Sequence, residues 1–398
     1  MSESIAVVGA GIVGLAVARR LQQVRPGAEV TVLDKESEVG RHQTGHNSGV
    51  VHAGLYYPPG SLKATLCRRG VALLREYARE KSVPYVECGK LVVALDAAEI
   101  GRLDDIERRA HENRVPGLRR LGAAEIGEIE PHAVGVAALH SPHTAITDFV
   151  AIARALAADV VAGGGRVRLD TEVTAVRRAR GGVELAVAAE ERLHFDHVVV
   201  CAGLHADRLA VAAGDEPDPT IVPFRGEYLR LVPERSDLVQ GLIYPVPDPR
   251  YPFLGVHFTR RVDGAVDVGP NAVLALAREG YRRRDVVPAD VAAVLRHPGF
   301  RRVARRHWRT GVGEIVGSIS RREFVRRARR HVPELQPGDV VPGGAGVRAQ
   351  AVDRHGTLVD DFRIHHLGPV TVVRNAPSPA ATSSLAIAEH VVDRIDLR

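Results

Sequence analysis

Residues 5–34 read IAVVGAGIVGLAVARRLQQVRPGAEVTVLD, and no other stretch limits the fold so strongly. The apolar run at 5–8 predicts a buried parallel strand. Gly9, Gly11 and Gly14 follow in G-x-G-x-x-G spacing, then apolar positions at helical spacing (Ile12, Leu15, Ala16, Leu21), then a second strand at 30–33. That strand ends on Asp34, twenty residues after Gly14. Gly9 permits a tight turn, Gly11 lets the backbone approach a pyrophosphate, and Gly14 lets helix and strand pack closely. The helix N-terminus offers free N–H groups and partial positive charge to the phosphates. Asp34 can accept hydrogen bonds from ribose hydroxyls, with Lys35 next to it. A glycine triplet alone would fit any tight βα turn. Strand, glycines, helix, strand and acid in register predict a dinucleotide site.

At 398 residues the chain exceeds one small core and suits two interleaved domains. No run of about 18 apolar residues occurs, so no spanning helix is expected. The N-terminus enters the first strand directly, which leaves no room for a signal peptide. Cys67, Cys88 and Cys201 have neither metal-ligand nor disulfide-like spacing, so no metal is expected and a reducing, cytoplasmic compartment is. The net charge is +6, carried by arginine far more than by the four lysines, while aromatics make up 4%. So few stacking side chains argue against nucleic acid. An acidic substrate or an anionic membrane surface fits the charge.

After Asp34 comes a long polar segment, rich in Gly, His, Ser and Asn, with little pattern before residue 62. Loops this long inside a compact domain are usually functional. Thr44, His46, Asn47, Ser48 and Gly49 supply small donors for phosphate and ribitol oxygens ahead of Val50. His52, Tyr56 and Tyr57 follow, then Lys63 on an expected helix at 61–81. Residues 86–95 (VECGKLVVAL) read as a strand, 97–113 and 122–130 as helices. Thr147 or Asp148 caps a helix at 149–162. The buried strand at 197–201 runs into Ala202 and Gly203, a small-residue turn that permits close approach of a ligand. Strands at 222–232 and several between 243 and 268 predict a sheet with one face covered, from which Arg225, Tyr228, Tyr244 and His257 could point to a cleft. Residues 301–330 hold eleven arginines and two glutamates, with apolar residues at roughly helical spacing. Two solvated helices and a basic surface that docks on anionic lipid both fit. Near the C-terminus Arg348 follows a glycine-rich turn, and a Pro- and Ser-rich turn leads into a helix whose start is open to an electron-rich ligand.

Five stretches carry a resemblance: TGHNSGVVHAGLYYPPGSLKATLC (44–67), PFRGEYLRL (223–231), YPFLGVHFTRRVDGAVDVGPNAV (251–273), GVRAQAVD (346–353) and NAPSPAATSSLAIAE (375–389). On these the chain resembles the L-2-hydroxyglutarate oxidase/dehydrogenase family, within the FAD-dependent D-amino-acid-oxidase-like superfamily. Asp34 stands where glutamate is common there. The resemblance implies an α/β fold, with a Rossmann-type FAD-binding domain and a second, mixed or antiparallel-sheet substrate domain inserted. The expected division is 1–83, 145–215 and 336–398 for FAD, and 84–144 and 216–335 for substrate. It implies oxidation of L-2-hydroxyglutarate to 2-oxoglutarate, with electrons passed to a membrane quinone pool or to oxygen. It matches Gly9, Gly11, Gly14, Asp34 and the 44–50 loop, ending at Val50, to FAD-contacting segments. It also matches Val173 to a strand whose backbone meets adenine, Ala202 and Gly203 to a second FAD turn, and Ala380, Ala381, Thr382 and Ser383 to a helix start near the flavin pyrimidine. Arg348 matches the arginine that pairs with the substrate carboxylate.

A dicarboxylate needs two cationic or strong donor sites. Arg348 suits the first, because guanidinium binds carboxylate bidentately. Lys63, Arg225 and the hydroxyls of Tyr228 and Tyr244 stay open for the second. The hydroxyl proton needs a base near neutral pH, most simply a neutral histidine, His52 or His257. Two other readings keep the fold. One is a flavin oxidase of glycine, sarcosine or a D-amino acid. The other is a redox-silent flavin module docking through 301–330.

Overall fold

The computed structural model describes residues 2–188, 190–248 and 255–395. The resemblance stretch beginning at Tyr251 therefore has its first four residues outside the described residues. Ser4–Val8 is the middle of a six-stranded sheet in the order Arg363–Leu367, Val370–Asn375, His197–Val200, Ser4–Val8, Glu29–Leu33, Arg166–Arg168. Every pair is parallel except the first. Side chains alternate across a strand, and the two faces are covered differently. Ile5 and Val7 pack with helices Ile12–Val24, Leu62–Glu80, Phe149–Ala162 and Ser384–Val392. Ala6 and Val8 pack with the antiparallel meander Val173–Ala179, Gly182–Val187, Arg192–Phe195. Asp148, the second of the two expected caps, accepts from the N–H groups of Val150 and Ala151.

A second, nine-stranded mixed sheet runs Val273–Leu274, Thr220–Leu231, Val266–Gly269, His257–Arg260, Leu242–Pro245, Lys90–Ala94, Ala137–Ser141, Arg119–Gly122, with Val340–Val352 also paired along Thr220–Leu231. Leu91, Val93, Ile243, Phe258, Val266 and Val268 form its back face, packed on Phe324, Val325 and Ala328 of helix Arg321–Ala328. By alternation Lys90, Tyr244 and His257 take the front face, toward the first sheet. A small sheet of Val50–Val51, Ala145–Thr147 and Tyr85–Val86 joins the two.

Residues 343–346 depart from expectation. No turn precedes Arg348. Val340–Val352 is one thirteen-residue strand with an irregularity opposite Tyr228 and Leu229. The glycines serve close packing instead: a Cβ at Gly346 would lie 2.3 Å from the His46 carbonyl oxygen, and one at Gly343 2.9 Å from the carbonyl carbon of Leu229. This strand falls within 336–398 yet is hydrogen-bonded into the second sheet.

Candidate active site

Between the two sheets lies one elongated cavity of about 1120 Å³, beyond the ~300–1,000 Å³ usual for a single small ligand. One end is built by the glycine turn. Gly9 has φ +113°, and a Cβ there would meet the Cys201 carbonyl oxygen at 2.4 Å. A Cβ at Gly14 would lie 2.0 Å from the Gly9 carbonyl oxygen, so Gly14 serves helix packing and does not line the cavity. Gly11 does line it, and the nearest atom to a Cβ there is Thr44 Oγ1 at 3.5 Å. As N-cap of helix Ile12–Val24, Gly11 supplies no side-chain bond, and Thr44 Oγ1 accepts from the Ile12 N–H at 3.0 Å. Asp34 accepts from the N–H groups of Ala10 and Glu36 and lines the cavity with Val173, Ala202 and Gly203. Asn47 shapes the loop: its amide donates to the carbonyls of Gln43 and Thr44, and its Oδ1 accepts from the Gly49 N–H at 2.8 Å. Thr44, His46, Asn47, Ser48 and Val50 reach the cavity, whereas Gly49 does not.

Lys35 also lines this end, but its ammonium is paired with Glu36 and with Glu279, the latter at 2.9 Å. Glu36, His42 and Glu279 have ligand-type atoms within 4.8 Å of one another, and the Lys35 ammonium lies among them, 3.0 Å from His42 Nε2. Against burial, which raises it, His205, Lys35 and His42 hold the Glu279 carboxyl down at about 2. Tyr281, two residues on, stacks on His46 with centroids 4.0 Å apart. The 279–281 segment thus ties a loop of the second sheet's chain to the 35–46 loop.

The other end collects His52, Tyr56, Tyr57, Lys63, Tyr228, Tyr244, His257, Arg348 and Asp360, with Ala380, Ala381 and Thr382. Thr382 Oγ1 accepts from the His52 N–H at 3.1 Å, fixing the 50–53 chain against the turn before helix Ser384–Val392. Ser383 is buried just beyond the lining. Lys63 is 5% exposed, donates to Asp360 at 2.7 Å and lies 5.1 Å from the Tyr57 ring centroid. His257 Nδ1 is 2.9 Å from the Gly255 carbonyl. A carbonyl can only accept, so Nδ1 carries the hydrogen and Nε2 keeps a lone pair. Burial first, then the Lys90 and Arg348 charges, push His257 down to about 3. Burial, Lys90, His257, Lys63 and Arg348 drive His52 well below the usual histidine range. Both imidazoles are therefore neutral at pH 7, as a proton acceptor must be.

Arg225 is not brought to this end. Its buried guanidinium pairs with Glu227 at 3.2 Å and donates to the Arg282 carbonyl at 3.2 Å. Strand alternation about this position turns it from the cavity while Tyr228 lines it. Sequence reasoning missed Asp360, the partner of Lys63, and the buried Lys90. The signal for Lys90 was available: a lone lysine opening the apolar run LVVA within a strand.

Glycine turn, acid-tipped second strand, helix start and a cavity running from them to a cationic, histidine-bearing wall define a flavin-type dinucleotide oxidoreductase. The family model described as FAD dependent oxidoreductase matches residues 4–394. The chain is 44% identical to the mitochondrial L-2-hydroxyglutarate dehydrogenase of Homo sapiens, covering 100% of this chain and 89% of that one. It is 43% identical to the L-2-hydroxyglutarate dehydrogenase of Indibacter alkaliphilus, over 99% and 98%. Among solved structures, the FAD-bound L-alpha-glycerophosphate oxidase of Mycoplasma pneumoniae superposes with TM-score 0.81 at 21% identity, over 100% and 96%. Glycine oxidase of Geobacillus kaustophilus gives 0.71 at 19%, over 100% and 96%. The chain belongs to the FAD dependent oxidoreductase family and, within it, to the L-2-hydroxyglutarate dehydrogenases, and its cofactor is FAD. Among the described residues no helix is long and apolar enough to cross a membrane.

Proposed function

We propose that this chain oxidises L-2-hydroxyglutarate to 2-oxoglutarate. The observation that carries the substrate is similarity along the whole chain to proteins named for that reaction. The cationic cavity end supports it, because a dianion suits Lys63 and Arg348 better than a zwitterionic amino acid does. Gly9, Gly11, Asp34, Thr44 and the 380–382 turn hold FAD. The chemistry that FAD would supply there is acceptance of the two electrons that leave C2 with its hydrogen. Arg348 pairs with the carboxylate beside C2. Lys63 or a tyrosine hydroxyl (Tyr228 or Tyr244) meets the distal one. His257 Nε2 or His52 accepts the hydroxyl proton. The test is anaerobic bleaching of the bound flavin. L-2-hydroxyglutarate bleaches it, and glycine, sarcosine and D-amino acids do not. Bleaching by an amine alone would replace this reading with the amine-oxidase one.

The electrons pass to a quinone, with oxygen a slower acceptor, from a cytoplasmic protein docked on the inner face of the cell membrane. The exposed side of helix Pro298–Ile319 supports the docking. Phe324 and Val325 of the next helix are buried, while Trp308 (58% exposed), Val312, Ile315 and Ile319 (73%) form an outward apolar row. Exposed arginines at 301, 302, 305 and 306 precede it, before a kink at His307, and the Arg309 guanidinium lies 5.4 Å from the Trp308 ring centroid. An amphipathic face of this composition suits an anionic lipid surface.

A further inference from the structure

Three adjacent strands of the second sheet carry a row of three side chains. His257–Arg260 pairs with Leu242–Pro245, and Leu242–Pro245 with Lys90–Ala94, in a register that sets Leu242 beside Lys90. Two residues along from Leu242, Tyr244 shares its face. The Tyr244 ring then has an imidazole on one side, His257 with centroids 3.9 Å apart, and an ammonium on the other, Lys90 at 3.6 Å from the centroid. The Tyr56 ring lies 4.9 Å from the same ammonium. Tyr56, Tyr244, His257 and His52 line the cavity; Lys90 is 2% exposed and stands behind them.

Burying an ammonium on the inner face of a sheet is costly. The aromatic faces offset part of that cost for a desolvated cation, and a methionine would fill the same volume with no charge to bury. Packing alone is a poor reason for a lysine here.

We propose that Lys90 is a positioning residue of the oxidation: it braces the Tyr244–His257 stack from behind, and its positive charge favours the neutral, proton-accepting form of His257 and His52. This rests on the histidine base proposed above.

Burial brings Lys90 down to about 7, opposed slightly by Cys67 of helix Leu62–Glu80. Below that pH it is an ammonium, and that is the range in which an ordinary imidazole, near 6.5, would take up a proton. Its charge pushes both histidines down. Among the described residues the other cations facing them are Lys63 and Arg348, and Asp360 sits on Lys63. Tyr228, Cys88 and Arg348 face Tyr244, whose phenol burial pushes up. Burial likewise pushes up Tyr56 and Tyr57, and takes Cys67 to about 12. None of those phenols or thiols ionises in the working range, so among these groups Lys90 is the one whose charge changes near neutrality.

The test uses the FAD-loaded full chain and follows flavin reduction by L-2-hydroxyglutarate against pH. In Lys90→Met the acid limb of kcat/KM moves up by on the order of 1 pH unit. In Lys90→Arg, which keeps the charge, it stays in place. A merely structural lysine would lower stability without moving the limb. Lys90→Met with full flavin content and an unmoved limb overturns the proposal. If that variant does not fold, the decision passes to the unsubstituted protein labelled with [13Cε]lysine. Its four lysine signals are assigned by Lys35, Lys63 and Lys81 variants. A Lys90 signal that is protonated throughout the acid limb supports the proposal, and one that stays neutral through it overturns it. His52→Ala and His257→Ala separate the two failures. If neither abolishes the limb, the histidine base is wrong; if one does while Lys90→Met leaves it unmoved, only the Lys90 role falls.

Discussion

The N–H on Nδ1 of His257 donates to the carbonyl of Gly255, two residues back, at 2.9 Å. That single bond fixes the tautomer of a buried imidazole and leaves Nε2 as its acceptor. His257→Asn is expected to slow flavin reduction in single turnover by roughly 10²–10⁴-fold if this is the base. Stopped-flow absorbance of the flavin measures it, with His52→Asn alongside. Equal, unslowed rates in both would move the base elsewhere.

The same burial links His257 to stability. Its folded value of about 3 lies below the unfolded 6.5, so between those values the unfolded chain binds more protons. Stability is then full above about pH 6.5 and falls as pH drops toward 3, by at most about 1.4 kcal/mol per pH unit from this group. Urea unfolding at pH 7, 6 and 5 should give a shallower decline for His257→Asn than for the unsubstituted chain. An equal decline would mean the imidazole takes up its proton before unfolding.

Arg348→Ala is expected to lower kcat/KM roughly 10–150-fold, the worth of hydrogen bonds to a charged group, with FAD content unchanged. Arg348→Lys should recover little, because one ammonium cannot reproduce a bidentate fork. Normal kinetics in either variant would remove Arg348 from the substrate.

Lys63→Met distinguishes the two carboxylates. If Lys63 meets the distal one, KM for L-2-hydroxyglutarate rises about 10-fold or more, while a 2-hydroxy monocarboxylate of similar length is oxidised as before. An equal effect on both substrates would assign Lys63 to FAD or to folding.

Gly346→Ala tests the seam between the sheets. The added Cβ has the His46 carbonyl oxygen at 2.3 Å, and backbone cannot yield as a flexible side chain would. Relief by about 1–3 kcal/mol of displacement should weaken FAD binding by roughly 5–150-fold, read by flavin fluorescence on reconstitution. Unchanged affinity would show that the 44–50 loop moves freely.

Docking on lipid predicts that Ile319→Glu, or charge reversal at Arg301 and Arg305 at about 1 kcal/mol per charge, abolishes flotation with phosphatidylserine-containing liposomes and leaves flavin bleaching intact. Flotation unaffected by both would assign the row to solvent or to a protein partner.

Where local order decides structure, the amino-acid sequence sufficed. The first βαβ unit lies in thirty consecutive residues, so turn, helix and acid could be placed before any coordinates, although the atom that leaves no room for a side chain at Gly9 is the distant Cys201 carbonyl oxygen. The 44–50 loop and the 380–383 turn, expected as ligand-type segments, reach the cavity except at Gly45, Gly49 and Ser383. Two features of the far sheet were not legible in the sequence. Arg225 and Tyr228 are three apart on one strand, and only the pairing partners settle that Tyr228 lines the cavity while Arg225 is spent on Glu227. Lys90 stood out only as a lone lysine at the head of an apolar strand, and nothing near it in the chain announces that Tyr244 and His257, more than 150 positions away, complete its row. The chain alone thus determined the first βαβ unit, whose strands, turn and helix follow one another in sequence. The tertiary structure decided the charge and tautomer of the histidine-bearing wall, since those depend on burial and on cross-strand neighbours brought together only by the fold.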